Sequence, residues 1–193
     1  MSNDNVVIKI AETQAEKLAA YRLRYDVFTR EFNDDRYADH ELQLFKDSDD
    51  VKESVLIIAI ASGTVAGTVR LKPLPRREFI ALERYQLSVL AKHLDIGIDL
   101  LRRKLGCLDR GVVKQEFRGR RLMGRLFSAG EEIASSLNLE YLIVPVEVNN
   151  IAAQRSHFRC GYRPYPVIGR HGTITCQCIY KVIGSPDESD VRD

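Results

Sequence analysis

The chain has 193 residues, 45% of them hydrophobic and 29% charged, with 29 basic against 27 acidic side chains and a net charge of +2. That size fits one domain with a sizeable core, and the near balance of charge excludes a general nucleic-acid binder, which carries a large basic excess. No apolar run reaches the roughly 18–20 residues that span a bilayer, and Met1–Asn5 has neither the basic nor the apolar part of a signal peptide, so a cytoplasmic protein without a membrane span is expected.

Val6–Ile10 reads as a first strand. Thr13 and Glu16 have the spacing of a capping box, and Leu18, Tyr21, Tyr25, Phe28 and Phe32 follow at helical intervals. Residues 33–53 are acidic and polar and predict a loop with one helical turn. Val55–Ala61 and Val65–Leu71, joined by Ser62-Gly63-Thr64, predict a hairpin that Pro73 and Pro75 end. Residues 76–105 carry leucines at helical spacing, with Gly97 dividing them into two helices. Cys107–Val113 predicts a strand, and Leu122, Leu126, Phe127, Ile133, Ala134 and Leu137 form the apolar face of a helix.

Tyr141–Val148 predicts a strand, Ile151–Cys160 a short helix, and Arg163–Ile168 with Ile174–Val182 a closing hairpin. The fold class is α+β, a mixed central sheet flanked by helices. A single domain over 1–183 is expected, followed by a polar tail, 184–193, whose composition predicts disorder. Cys107, Cys160, Cys176 and Cys178 form no C-x-x-C pair, and Cys176 and Cys178 would share one face of a strand. They read as free thiols, and no metal site is expected.

The stretch Gly111–Arg125 is the most informative. A strand runs into a basic, glycine-bearing turn that opens a helix. The first N–H groups of a helix have no intrahelical partner and sit at the positive end of its dipole, so they form an anion site. Arg118, Arg120, Arg121 and Arg125 add positive charge. A phosphorylated ligand is the natural guest; a solvated basic first turn is the structural alternative.

Two motifs carry a resemblance. Gln115-Glu116-Phe117-Arg118-Gly119 matches the lead-in of the donor loop of the GNAT superfamily of acyl-CoA-dependent N-acyltransferases. Asn150, Ala153, Gly161 and Tyr162 match that superfamily's Asn-x-x-Ala…Gly-Phe register, with His157 where a tyrosine general acid often stands. Arg121 and Met123 occupy two usual loop glycine positions, and Gly124 follows one residue late. Arg24-Tyr-Asp-Val-Phe28, the acidic loop, Gly67-Thr-Val-Arg70-Leu71 and Arg110 resemble acyl-homoserine-lactone synthases and long-chain N-acyl amino acid synthases. Gln43, Lys46 and the absence of a glutamate near Cys107 depart from that branch.

The resemblance implies an N-acyltransferase with an acyl-CoA or acyl-phosphopantetheine co-substrate and no metal. It implies that strands 107–113 and 141–148 splay apart, so that backbone groups of Val112 and Val113 meet the pantetheine arm. Arg118, Gly119, Arg120, Arg121, Leu122, Met123 and Gly124 would cradle the phosphates, with Asn150 completing the donor site.

Expected catalytic candidates are Asp109, Glu83 and Glu147 as base, and His157 as the acid that protonates the thiolate. Asp109 has an equal alternative role as ion-pair partner of Arg70 or Arg110. Arg24 and Arg70 would bind an acceptor carboxylate or pin the acidic loop, and Phe28 would line an acyl pocket or the core. A small-molecule amine is the expected acceptor, and acyl carrier protein a partner. A short-chain acetyl-CoA-dependent acetyltransferase and a non-catalytic thioester-binding module stay open as alternatives.

Overall fold

The computed structural model describes residues 6–51, 54–74, 86–171 and 174–184. Strand β1 (Val7–Ile10) leads into helix α1 (Gln14–Tyr25), which the capping box opens. The Glu16 N–H donates to Thr13 Oγ1 at 3.2 Å, and Glu16 Oε2 accepts from the Thr13 N–H at 3.1 Å. The helix does not continue in α geometry to Phe32. Asp26–Glu31 form a π-helical turn, and the wider turn breaks the apolar stripe. Phe28 is half-buried, and Phe32 leaves the core at 51% exposure.

The acidic segment has more structure than a loop. β2 (Ala38–Asp39) pairs with β3 (Leu44–Phe45), and Asp47 caps a 3-10 turn at Ser48–Asp50. β4 (Val55–Ala61) and β5 (Thr64–Pro73) form the expected hairpin. Ser62 and Gly63 both have positive φ, 49° and 75°, the combination that matches a two-residue turn to strand twist.

Two helices, α2 (Leu87–Leu94) and α3 (Ile98–Lys104), are divided at Gly97 as expected. Residues 75–85, including the expected base Glu83, lie outside the described residues. Next come β6 (Leu105–Val113), α4 (Leu122–Ser136), β7 (Tyr141–Glu147), α5 (Ile151–Arg159), β8 (Arg163–His171) and β9 (Ile174–Val182). The sheet order is β1-β4-β5-β6-β7-β9-β8. Its pairs are antiparallel where registers are defined, except β6 with β7, which run parallel from Leu105↔Tyr141 to Cys107↔Ile143. The mixed sheet matches the expected fold class.

The chain divides into two compact units. The first comprises 1–72 and 108–130. Its core lies between α1 and the sheet, with Ala20, Tyr21, Leu44, Leu56 and Ile58 together and Leu23, Val27 and Val112 beside one another. Its α4 segment approaches β6 closely, because a Cβ on Gly130 would meet Leu108 Cδ2 at 2.9 Å. The second comprises 73–107 and 131–193. In it Leu87, Leu90 and Leu101 pack with Leu105, Ile143, Tyr165, Val167 and Tyr180. The tail from 185 onward lies outside the described residues.

Candidate active site

Period-two alternation puts Thr68, Arg70 and Lys72 of β5 on one face, that of Leu56 and Ile58. A buried cation on an otherwise apolar face requires matched carboxylates, and the acidic segment supplies them. Arg70 Nε and Nη2 donate to Asp109 Oδ1 and Oδ2 at 2.8 and 3.0 Å. Its Nη1 and Nη2 donate to Asp47 Oδ1 and Oδ2 at 2.6 and 3.1 Å, and Nη1 lies 3.0 Å from Asp50 Oδ2. All three nitrogens of this guanidinium are thereby engaged, with four hydrogen bonds and the Asp50 ion pair around it.

Lys72 Nζ stands 2.7 Å from Asp109 and 3.3 Å from Asp49. Arg24 Nη1 donates to Asp50 at 2.7 Å, and Arg110 Nη2 to Asp47 at 2.8 Å. Four cations thus face four aspartates in the first unit: Arg24, Arg70, Lys72 and Arg110 against Asp47, Asp49, Asp50 and Asp109. Arg110 adopts φ 54° in the strand and lies over the rings of Tyr37, Phe45 and Phe28 at 4.5, 5.2 and 5.9 Å.

This geometry gives Asp109 the ion-pair role and argues against it as the base. Burial pushes its carboxyl up, but Lys72 and Arg70 overcome burial and hold it well below the usual carboxylate range. Asp47 is held low in the same way, burial being outweighed by Arg70 and Arg110. Arg70 is buried among Asp47, Asp50 and Asp109, which leaves it poorly placed to receive an acceptor carboxylate. Arg24 is fully enclosed, and its Nε and Nη2 have no hydrogen-bond acceptor among the described residues. Both arginines pin the acidic segment. Phe28 stacks on Phe45 with ring centroids 4.7 Å apart, as part of the aromatic packing around Arg110.

The donor loop has the opposite character. Gly119 has φ 77°, and a Cβ added there would meet nothing within 4 Å, so there glycine serves conformation. Arg121 has φ 59° although it is not glycine. The Arg125 N–H bonds to the Arg121 carbonyl at 3.2 Å, so the N–H groups of Leu122, Met123 and Gly124 have no acceptor within the helix. Leu122 is buried.

Arg118, Arg120, Arg121 and Arg125 are exposed. Arg120 lies over the Phe117 ring at 5.5 Å, and Arg125 Nη2 donates to the Val6 carbonyl at 2.9 Å. Arg118 Nε donates to the Val113 carbonyl at 2.9 Å, and its Nη2 lies 2.7 Å from Glu31. The carbonyl expected to await a pantetheine amide therefore already accepts one bond. Val112 is buried against Leu23 and Val27.

In the second unit, Asn150 caps α5 by accepting from the Ala153 N–H at 3.0 Å. His157 is 6% exposed, and its Nδ1 lies 2.6 Å from the Ala153 carbonyl, so Nδ1 carries the hydrogen and donates. Burial lowers its pKa, and the bond to Ala153 opposes that only in part. A neutral imidazole whose N–H is spent on a carbonyl is poorly suited to protonate a thiolate, and the geometry assigns it to packing. Its ring meets Tyr162 edge-on at 5.7 Å, and Lys181 Nζ lies 5.6 Å from the Tyr162 ring and 2.6 Å from Glu131. Burial pushes the Tyr162 and Tyr165 phenols up; both are core aromatics.

Sequence reasoning brought Arg24, Arg70 and Asp109 to one place but missed Lys72 and Glu31. The Arg70-x-Lys72 alternation in an apolar strand was the available signal for Lys72. Glu31 has none, because the π turn alone aims it at Arg118. Among the described residues no cluster of His, Cys, Asp and Glu is arranged to hold a metal ion, and no helix is long and apolar enough to cross a membrane.

The sequence profile of the Acetyltransferase (GNAT) family matches residues 18–162. That is more than half of the chain, which therefore belongs to the GNAT family and is an acyltransferase. No curated protein sequence matches it. Among solved structures it is similar to the acyl-homoserine-lactone synthase LasI, with TM-score 0.68 and 12% identity over 94% of this chain and 92% of that one. It is similar to BjaI, a CoA-dependent acyl-homoserine-lactone synthase solved with SAM and isopentyl-CoA, with TM-score 0.67 and 19% identity over 89% and 78%. A ribosomal-protein-alanine N-acetyltransferase from Brucella melitensis has TM-score 0.62 and 17% identity over 91% and 99%. At these identities the likeness concerns the fold.

Proposed function

We propose that this acyltransferase takes its acyl group from a phosphopantetheine thioester, as acyl-CoA or acyl carrier protein, and passes it to a small amine such as an amino acid. The observation that carries the reading is the α4 entrance. N–H groups without an intrahelical acceptor open there behind a left-handed Gly119, and exposed arginines surround them. Arg118, Gly119, Arg120, Arg121, Leu122, Met123 and Gly124 hold the donor phosphates, and the backbone at Val112 and Val113 guides the pantetheine arm. The exposed arginines also suit the acidic surface of a carrier protein.

The amine nitrogen attacks the thioester carbonyl carbon. The C–N bond forms, the C–S bond breaks, and the sulfur leaves with the electron pair and takes up the proton lost from nitrogen. A thioester is already activated, so orientation and oxyanion stabilisation supply most of the acceleration. With Asp109 held in ion pairs, deprotonation of the amine falls to Glu83 or Glu147. Arg24 and Arg70 hold the acidic segment in place, so the acceptor is not selected by its carboxylate at these residues.

The test follows thiol release from acetyl-CoA, longer acyl-CoA thioesters and acyl carrier protein thioesters, each with a mixture of amino acids. Amine-dependent release from a long-chain or carrier-protein donor supports the reading. Release from acetyl-CoA alone restricts the enzyme to short chains, and no release from any donor defeats it.

A further inference from the structure

Gly111 is a glycine that its own backbone does not require. Gly63, Gly119 and Gly161 have positive φ, and Gly111 is not among them. The strained position is its neighbour Arg110, at φ 54°. What Gly111 provides is space. A Cβ built there would meet Met123 Sδ at 3.3 Å, Met123 Cε at 3.4 Å and Phe127 Cζ at 3.9 Å. The end of the Met123 side chain therefore borders the space that a Cβ at 111 would take.

Met123 stands at a loop position where the donor-loop pattern usually has glycine, close to the N–H groups that open α4. An unbranched side chain at that position has two places to go: down onto the strand or out over the helix entrance. A side chain at 111 crowds the first of these, since its Cβ would stand 3.3 Å from Sδ, tighter than most packed contacts, and the thioether would have to give way.

We infer that Gly111 and Met123 form a size-exchanged pair. The glycine absent from the loop has its counterpart on the strand, and Gly111 acts as a positioning residue that seats Met123 and keeps the donor path open. The inference rests on the donor reading of the α4 entrance and adds a specific determinant to it. A branched side chain at 111 displaces the thioether from the strand and sets it against the donor, and shortening Met123 removes the conflict.

The test is calorimetric binding of coenzyme A and of holo acyl carrier protein, both of which carry the phosphopantetheine arm. The proteins are the wild type, Gly111→Val, Met123→Ala and the double variant, with thermal unfolding recorded for each. Gly111→Val is expected to weaken binding by about tenfold, and Met123→Ala in the same chain to restore it to within about threefold. Rescue of affinity by a second, smaller side chain is a readout that loss of fold does not mimic. Unchanged binding by Gly111→Val, or a folded double variant that stays weak, overturns the pair while leaving the donor reading intact. If Gly111→Val does not fold, the double variant alone decides, wild-type-like binding supporting the pair and weak binding overturning it. A wild type that binds neither probe overturns the donor reading and the pair with it.

Discussion

Two groups of cations in the first unit show how one residue type is put to opposite uses. Arg24, Arg70, Lys72 and Arg110 are enclosed and share four aspartates, Asp47, Asp49, Asp50 and Asp109. Arg118, Arg120, Arg121 and Arg125 stand at the entrance of α4, exposed. The enclosed set is committed to its own chain: it orders residues 33–50 and leaves little charge to offer a substrate. The exposed set is lightly engaged, and its most strained member, Arg121, holds a conformation that glycine would adopt more easily. Burial and the count of matched partners, more than the presence of arginine, separate structural from ligand-directed charge.

The largest effect is expected at Arg70. Arg70→Met leaves Asp47, Asp50 and Asp109 with too few partners and should cost about 3–5 kcal/mol in urea unfolding, with little dependence on salt. Arg24→Met, which breaks a single hydrogen bond and removes two buried nitrogens that have no acceptor among the described residues, should cost far less. Equal losses would mean that the enclosed set is not organised around Arg70.

Acid should act through the same carboxylates. Asp47 and Asp109 bind protons more weakly folded than unfolded, so in acid the unfolded chain takes up more protons and stability falls. Their contribution is complete above about pH 4, the ordinary carboxylate value, and is lost progressively below it. Melting temperature recorded from pH 7 down to pH 2 should show that loss in the wild type and much less of it in Arg70→Met. A parallel decline in both would contradict the assignment.

The smallest effect is the most discriminating in sign. Arg121→Gly relieves the left-handed backbone and should raise stability by about 0.5 kcal/mol, while weakening the binding of coenzyme A. A variant that loses both, or gains both, would remove the distinction between the two cation groups.

Much of this architecture is legible in the sequence where local chemistry decides it. The Thr13–Glu16 cap, the Ser62-Gly63 turn and the apolar alternation of β4 and β5 each specify their geometry within a few residues. The basic turn before α4 is legible for the same reason. The π turn at Asp26–Glu31 is not, because the apolar spacing through Phe32 fits an ordinary helix equally well. The sequence offers Arg70 or Arg110 as partner of Asp109, and the fold pairs it with Arg70 and Lys72, since only tertiary contact decides which buried charges meet. His157 carries the right chemistry for an acid at the right register, and burial together with the Ala153 carbonyl redirects it. In the sequence Gly111 is only the start of a strand–turn motif, because a glycine kept for space is visible only once its neighbour's side chain is placed.

The most direct measurement is coenzyme A titration into the wild type and into the Arg118→Glu, Arg121→Glu double variant, at two salt concentrations and with unfolding curves for both. The expected result is a loss of affinity of about tenfold or more in the variant, a weaker salt dependence of what remains, and a folded variant less stable by about 1–2 kcal/mol, from loss of the Arg118 bonds to Val113 and Glu31. Equal affinity in the two proteins would contradict the assignment of the donor to the entrance of α4.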